Sequence, residues 1–314
     1  MKKIIIFFII LFSFFVSGCS RKLEIVWKFK TDGAVNASPK VYNGLIFFGS
    51  DDSYLYALNE VTGEEMWKFK SGGPIHYSPV IDNSVIYFGS DDKYLYALFS
   101  RTGQKKWRFR TDGGINSTPT IYKDTILFGS DDHNLYALNI NTREIKWKFN
   151  TGDWVSSTPA IEKDMVFFGS YDHYFYALSL NTGKVIWKYK THGLINSNPV
   201  VKNNVVYFGS NDHNLYALDI MTGKKVWKFL TGDDISSSVL VTKDNIFVSS
   251  MDNNVYSVDR STGKEVWHYQ TGGPLVATPL LLEKNLYFGS LDNSFYSIDS
   301  RSGRFKKSYA TSDG

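Results

Sequence analysis

From Ser78 to Phe109 the chain reads as four short apolar runs separated by polar turns. The runs are Val80-Ile81, Val85-Ile86-Tyr87-Phe88, Tyr94-Leu95-Tyr96-Ala97-Leu98 and Lys106-Trp107-Arg108-Phe109, and the breaks are Asn83-Ser84, Asp91-Asp92-Lys93 and Thr102-Gly103. Runs of this length bounded by turn residues predict β-strands. The second and third runs are apolar almost throughout, which predicts that both their faces are covered. The fourth alternates: in the preceding copy Trp67 and Phe69 fall on one side and Lys68 and Lys70 on the other, which predicts one packed face and one solvated face.

The same text recurs along the chain. Trp27, Trp67, Trp107, Trp147, Trp187, Trp227 and Trp267 stand 40 residues apart without insertion or deletion. A period of this length built from four strands predicts a propeller blade rather than a helical repeat. Seven complete sets of the first three strands predict an all-β fold: a seven-bladed β-propeller of four-stranded antiparallel blades, occupying residues 23–314. Proline opens the first strand in six units, at Pro39, Pro79, Pro119, Pro159, Pro199 and Pro279. Proline cannot donate to a ladder and belongs at a sheet edge, so the first strand is expected to be the inner edge, lining a central channel. Lys28, Lys68, Arg108, Lys148, Lys188 and Lys228 place a basic row on the fourth strand, which suits an outer edge that must not pair with other molecules.

Eight segments resemble a fourth strand, one more than seven blades require, because Leu23–Lys30 precedes the first set and Arg304–Ala310 follows the last. Val26-Trp27-Lys28-Phe29 keeps the repeat pattern and Phe305-Lys306-Lys307-Ser308 has lost it. The N-terminal segment is therefore expected to complete blade seven, leaving residues 304–314 peripheral.

The first residues differ in kind. Lys2-Lys3, an apolar run from Ile4 to Phe12, and Val16-Ser17-Gly18-Cys19 follow the order of a secretory signal, and the run is short for a membrane span, which needs ~20 residues. Residues 1–18 are read as a signal peptide and 19–22 as a tether. Cys19 is the sole cysteine, which excludes an intramolecular disulfide or a cysteine-based metal cluster. Loss of Lys2 and Lys3 takes the formal charge from +4 to +2, so the mature chain offers no bulk electrostatic case for binding nucleic acid.

Two resemblances follow from these residues. Val16-Ser17-Gly18-Cys19 resembles the bacterial lipobox, whose cysteine is acylated, making Cys19 the lipid attachment site; Ser20 after it is compatible with outer-membrane sorting, the chain facing the periplasm. Ala57-Leu58-Asn59, Thr62-Gly63 and Trp67, repeated in nearly every unit, resemble the tryptophan-docking motif of the pyrroloquinoline-quinone-type β-propellers. The last units depart from it, with Ser257 and Ser297 for the alanine and Lys307 for the tryptophan. The resemblance implies that the seven indoles pack between successive blades. A lipobox joined to such a propeller is similar to the BamB family of the outer-membrane β-barrel assembly machinery, which implies a non-catalytic, membrane-anchored interaction scaffold whose protein partner is a β-barrel assembly subunit. Members of that family often have eight blades, and this chain supplies seven.

Candidate chemistry is sparse. Asp52, Asp92, Asp132, Asp172, Asp212, Asp252 and Asp292 occupy one turn position in every unit, which points to a structural turn role. His133, His173 and His213 share another turn position, but neighbouring blades hold equivalent residues on the order of 10 Å apart in a propeller, too far to share an ion. No metal is expected. There is no Gly-x-Ser-x-Gly elbow, phosphate loop or paired-cysteine motif, and the uniform spacing leaves no inserted lid of the kind carried by quinone-dependent dehydrogenases, so no enzyme activity and no cofactor are expected. Residues that break the repeat are the candidates for an interaction face: Asn36, His76, Tyr77, Asn116 and Asn196 at the entry to the first strand, and Trp154 in the loop before it. Asp51, Asp91, Asp131, Asp153, Asp233 and Asp234 are expected on the same face. The alternative reading is a periplasmic propeller with a small ligand or quinone at the channel mouth.

Overall fold

The computed structural model describes residues Ile5–Phe7 and 26–311. Among these there is no helix. The chain forms seven four-stranded antiparallel sheets and is a seven-bladed β-propeller. It divides into two compact units, Met1–Arg108 and Phe109–Gly314. Blades one and two, apart from the last two residues of blade two, lie in the first unit, and blades three to seven in the second.

Blade one shows the rule. Its strands are Lys40–Tyr42, Leu45–Gly49, Tyr54–Asn59 and Glu65–Lys70, hydrogen-bonded in chain order. The first turn carries Asn43 at φ 49° and Gly44 at φ 78°, the paired left-handed conformation that joins two twisted strands with only two residues. The second and third strands are buried, with Phe47, Phe48, Leu55 and Ala57 fully shielded. In the fourth strand Trp67 and Phe69 are half-buried while Lys68 and Lys70 are exposed. Its register slips by one residue between Ala57 and Leu58, and the same slip recurs at Ala137, Ala177, Ala217, Ser257 and Ser297.

The first strands of neighbouring blades approach one another, Lys40–Tyr42 with Val80–Asp82 in the first unit and Val200–Lys202 with both Ala160–Glu162 and Leu240–Val241 in the second. The first strand is thus the inner edge and the fourth the outer. On that outer edge members of the basic row rest on aromatic faces, Arg108 4.1 Å from the Tyr94 ring centre and Lys188 4.4 Å from Tyr174. Between blades the aromatic side chains interlock. Phe69 meets Phe88 and Tyr96 of the next blade edge-on, at 6.1 and 5.3 Å, and Phe175 stacks on Phe208 at 3.9 Å.

Blade seven corrects the expected closure. Its fourth strand is Phe305–Ala310, paired with Ser294–Asp299, and Lys307 sits opposite Ser297 where other blades oppose tryptophan to alanine or serine. Lys28–Lys30 instead pairs with Ile5–Phe7. The reason is physical. The Asp299–Gly303 turn delivers the local strand at once, whereas recruiting the N-terminal segment means closing a loop of nearly the whole chain. Ladder hydrogen bonds come from the backbone, so loss of the tryptophan does not forfeit the pairing.

Candidate interaction face

In every blade the turn between the second and third strands is tied to the loop before the first strand by one backbone bond. Asp51 N donates to Ala34 O at 2.8 Å, Asp91 N to Pro74 O at 3.0 Å and Asp131 N to Gly114 O at 2.9 Å. Tyr171 to Trp154, Asn211 to Leu194, Met251 to Asp234 and Leu291 to Pro274 continue the series. Each blade therefore presents these two loops together.

The recurrent aspartates hold this end in place. Asp172 accepts Tyr174 N on Oδ1 at 3.0 Å, and its Oδ2 accepts the Tyr176 hydroxyl at 2.6 Å and Gly152 N at 2.8 Å. The same three bonds are made by Asp52, Asp92, Asp132, Asp212, Asp252 and Asp292. Burial and then the aspartate bond push the Tyr176 hydroxyl well above the usual phenol range. At Asp212 burial works to raise the carboxyl, but His192 N, the Tyr216 hydroxyl and Asn214 together hold it below its ordinary value. All seven carboxylates are committed to the fold.

The six interaction candidates fall three in each unit. In the first unit, Asn36 Nδ2 donates to Asp51 Oδ2 at 3.2 Å. His76 lies between two carboxylates of successive blades, with Nδ1 2.8 Å from Asp51 Oδ1 and Nε2 3.0 Å from Asp91 Oδ2. The Asp91 hydrogen bond is the main reason its pKa is raised to about 9; the charges of Asp91 and Asp51 add to it and burial opposes it. Tyr77 is half-buried beside it. In the second unit, Asn116 Nδ2 donates to Asp131 Oδ2 at 2.8 Å. Asn196 is half-buried, and its Oδ1 is shut off from solvent without a hydrogen-bond partner. Trp154 is 46 % exposed and leans on Tyr171 at 5.6 Å.

Tyr171 escaped the sequence reading, although a signal was present: it replaces the aspartate found at Asp51, Asp91 and Asp131. Thus in blade four both tied positions are aromatic. His133, His173 and His213 do not come together; among the described residues His213 alone joins a cluster of metal-ligand side chains, with Asp233 and Asp234. Burial, and then the charge of Asp233, raises the Asp234 carboxyl. Cys19 lies outside the described residues.

Trp67, Trp147, Trp187, Trp227 and Trp267 sit at blade junctions, and Trp27, from outside the blades, packs on blade one. Trp67 Nε1 donates to Ser100 O at 3.0 Å, Trp147 to Leu180 O at 2.7 Å, Trp187 to Ile220 O at 2.8 Å and Trp227 to Arg260 O at 3.1 Å. Trp27 does the same with Glu60 O at 3.3 Å. Trp107 is buried against Tyr87, 5.6 Å away. The Trp267 ring lies over Gly303, but its Nε1 is buried without an acceptor. Trp27, Trp67, Trp147, Trp187, Trp227 and Trp267 each lie over a glycine: a Cβ on Gly103 would stand 2.5 Å from Trp67 Cε3, and Gly103 has φ 68°.

A family model described as outer membrane protein assembly factor BamB matches residues 22–74, 51–153, 142–239 and 214–312. The chain belongs to the BamB family. Its fold is shared with the crystal structure of BamB from Moraxella catarrhalis, 19 % identical, covering 90 % of this chain and 89 % of that one with a TM-score of 0.78. A computationally designed protein, Ika8, is 14 % identical, covering 89 % of this chain and 87 % of its own, with a TM-score of 0.79. No curated protein sequence matches the chain. Fold does not by itself fix function, so the residues that depart from the repeat are where a site specific to this chain is sought.

Proposed function

We propose that this BamB-family chain is a non-catalytic interaction scaffold, anchored to the outer membrane through Cys19 and facing the periplasm, that binds a protein subunit of the β-barrel assembly machinery through its loop end. The pair of exposed Trp154 and half-buried Tyr171 carries the reading: two aromatic rings occupy tied loop positions that are not aromatic in any other blade. Tryptophan and tyrosine are enriched among residues that dominate binding energy, because each buries a large rigid surface at small entropic cost. The commitment of every repeated aspartate to turn and tyrosine bonds supports the absence of catalysis, since none is left as a poised acid or base. No cofactor enters this reading.

In-cell crosslinking followed by purification from membranes tests it, with the full-length chain, Cys19→Ala and Trp154→Ala compared. The proposal predicts a stoichiometric assembly subunit with the full chain, a loss of at least about tenfold with Trp154→Ala at equal expression, and release of Cys19→Ala from the membrane fraction. Recovery of the chain alone, with no subunit at any stoichiometry, overturns it and favours a small ligand at the loop end.

A further inference from the structure

Blade five brings a histidine and two carboxylates to one point. His213 ends the turn between the second and third strands, and Asp233 and Asp234 stand in the loop after Lys225–Leu230. That loop is strapped to the turn: Thr231 N and Oγ1 both donate to His213 O at 2.9 Å, and Thr231 Oγ1 also donates to Asp233 O at 2.7 Å. One ligand atom from each of the three side chains lies within 4.8 Å of the others. His213 Nε2 is 3.5 Å from Asp234 Oδ1 and 3.9 Å from Asp233 Oδ1.

These separations are informative beside those of His76. That imidazole touches its carboxylates at 2.8 and 3.0 Å, as hydrogen-bonded partners do. At 3.5 and 3.9 Å His213 is too far for good hydrogen bonds, but ligands each about 2.1 Å from a tetrahedral ion stand about 3.4 Å apart. The surroundings also suit an ion. Asn211 Nδ2 donates to Asp234 Oδ2 at 2.6 Å, fixing the carboxylate that must turn its other oxygen toward the histidine. Asn211 Oδ1, on the same amide, is closed off from solvent and has no hydrogen-bond donor.

We propose that His213 Nε2, Asp233 Oδ1 and Asp234 Oδ1 bind one divalent transition-metal ion of the zinc type, with water completing its coordination. One imidazole and two carboxylates favour such an ion over calcium, which takes six to eight oxygen ligands. The repeat provides internal comparisons. His173 has Gly193 and Leu194 at the positions of Asp233 and Asp234, and His133 has Asp153 and Trp154, so the full donor set occurs in blade five alone. The ion would tie the turn of blade five to the loop that leads into blade six, at the end that the scaffold reading assigns to a partner, but its binding does not depend on that reading.

Calorimetric titration of untagged, chelator-treated full-length protein with zinc chloride tests the proposal, with calcium chloride in a parallel run. The expected result is one zinc per chain and no comparable calcium uptake. Affinity should fall at least about tenfold in His213→Gln and in Asp234→Asn, and stay unchanged in His173→Gln. Each variant must melt with the wild-type profile in chelator, which separates loss of the site from loss of the fold; Asp233→Asn substitutes for any that does not. No saturable uptake at millimolar zinc, or uptake that His213→Gln leaves intact, overturns the proposal.

Discussion

His76 of blade two reaches back to Asp51 of blade one, its Nδ1 2.8 Å from the carboxylate oxygen, while its Nε2 holds Asp91 of its own blade at 3.0 Å. Both carboxylates accept, so both ring nitrogens must donate and the imidazole is the charged form. An imidazole whose pKa rises on folding, here from 6.5 to about 9, stabilises the fold fully below pH 6.5. That contribution is lost as pH rises through about 9. Thermal melts of wild type and His76→Gln should differ most near pH 6 and converge by pH 10. A difference that does not change over this range would mean that His76 is not charged in the clamp.

The indole of Trp147 is 8 % exposed and bonded to Leu180 O. Truncation to alanine removes both the packing and the bond. Trp147→Ala should cost roughly 3–5 kcal/mol in denaturant unfolding, the range for buried tryptophan truncations. A change under about 1 kcal/mol would contradict a role in holding blades together.

Asp172 and Tyr176 form one of seven repeated pairs. Asp172→Ala strands the nearly buried Tyr176 hydroxyl and Gly152 N, at a cost of about 2–3 kcal/mol, and Tyr176→Phe costs about 1 kcal/mol. Because the two share a bond, the double variant should lose less than the sum, and additivity in a double-mutant cycle would refute the pairing.

Arg143 takes φ 67° at the turn position where six other blades have glycine. A side chain in the left-handed region costs roughly 1–2 kcal/mol, partly offset by the greater freedom of unfolded glycine. Arg143→Gly should therefore raise stability by up to about 1 kcal/mol. A lowered melting temperature would show that the arginine side chain contributes more than its backbone strain costs.

Much of this architecture was legible in the sequence because a propeller writes its local rules into every unit. The 40-residue period fixed the number of blades, Pro79 and its equivalents marked one edge, and the alternation of Trp67 and Phe69 with Lys68 and Lys70 marked the other. The constancy of Asp172 and its equivalents pointed correctly to a turn, though not to the tyrosine four residues on. What escaped was contact between segments that the repeat does not align in sequence. The Trp154–Tyr171 pair, the His76 clamp and the approach of His213 to Asp233 and Asp234 all join a turn to a loop 17 to 25 residues away, and their partners appear only once the two are folded together. The misassigned closure has a different origin. Side-chain likeness favoured Val26–Phe29, whereas the backbone of blade seven took its nearest chain neighbour, Phe305–Ala310.

The scaffold reading stands or falls on what touches the aromatic pair. Trp154 replaced in cells by the photoreactive residue p-benzoylphenylalanine, with Lys188 on the outer edge of blade four replaced likewise as the comparison, reads that contact directly. On irradiation the account predicts a single adduct from position 154, containing a β-barrel assembly subunit, and none of that mass from position 188. Equal adducts from both positions, or no protein adduct from position 154 in a fully expressed and membrane-located chain, would contradict it.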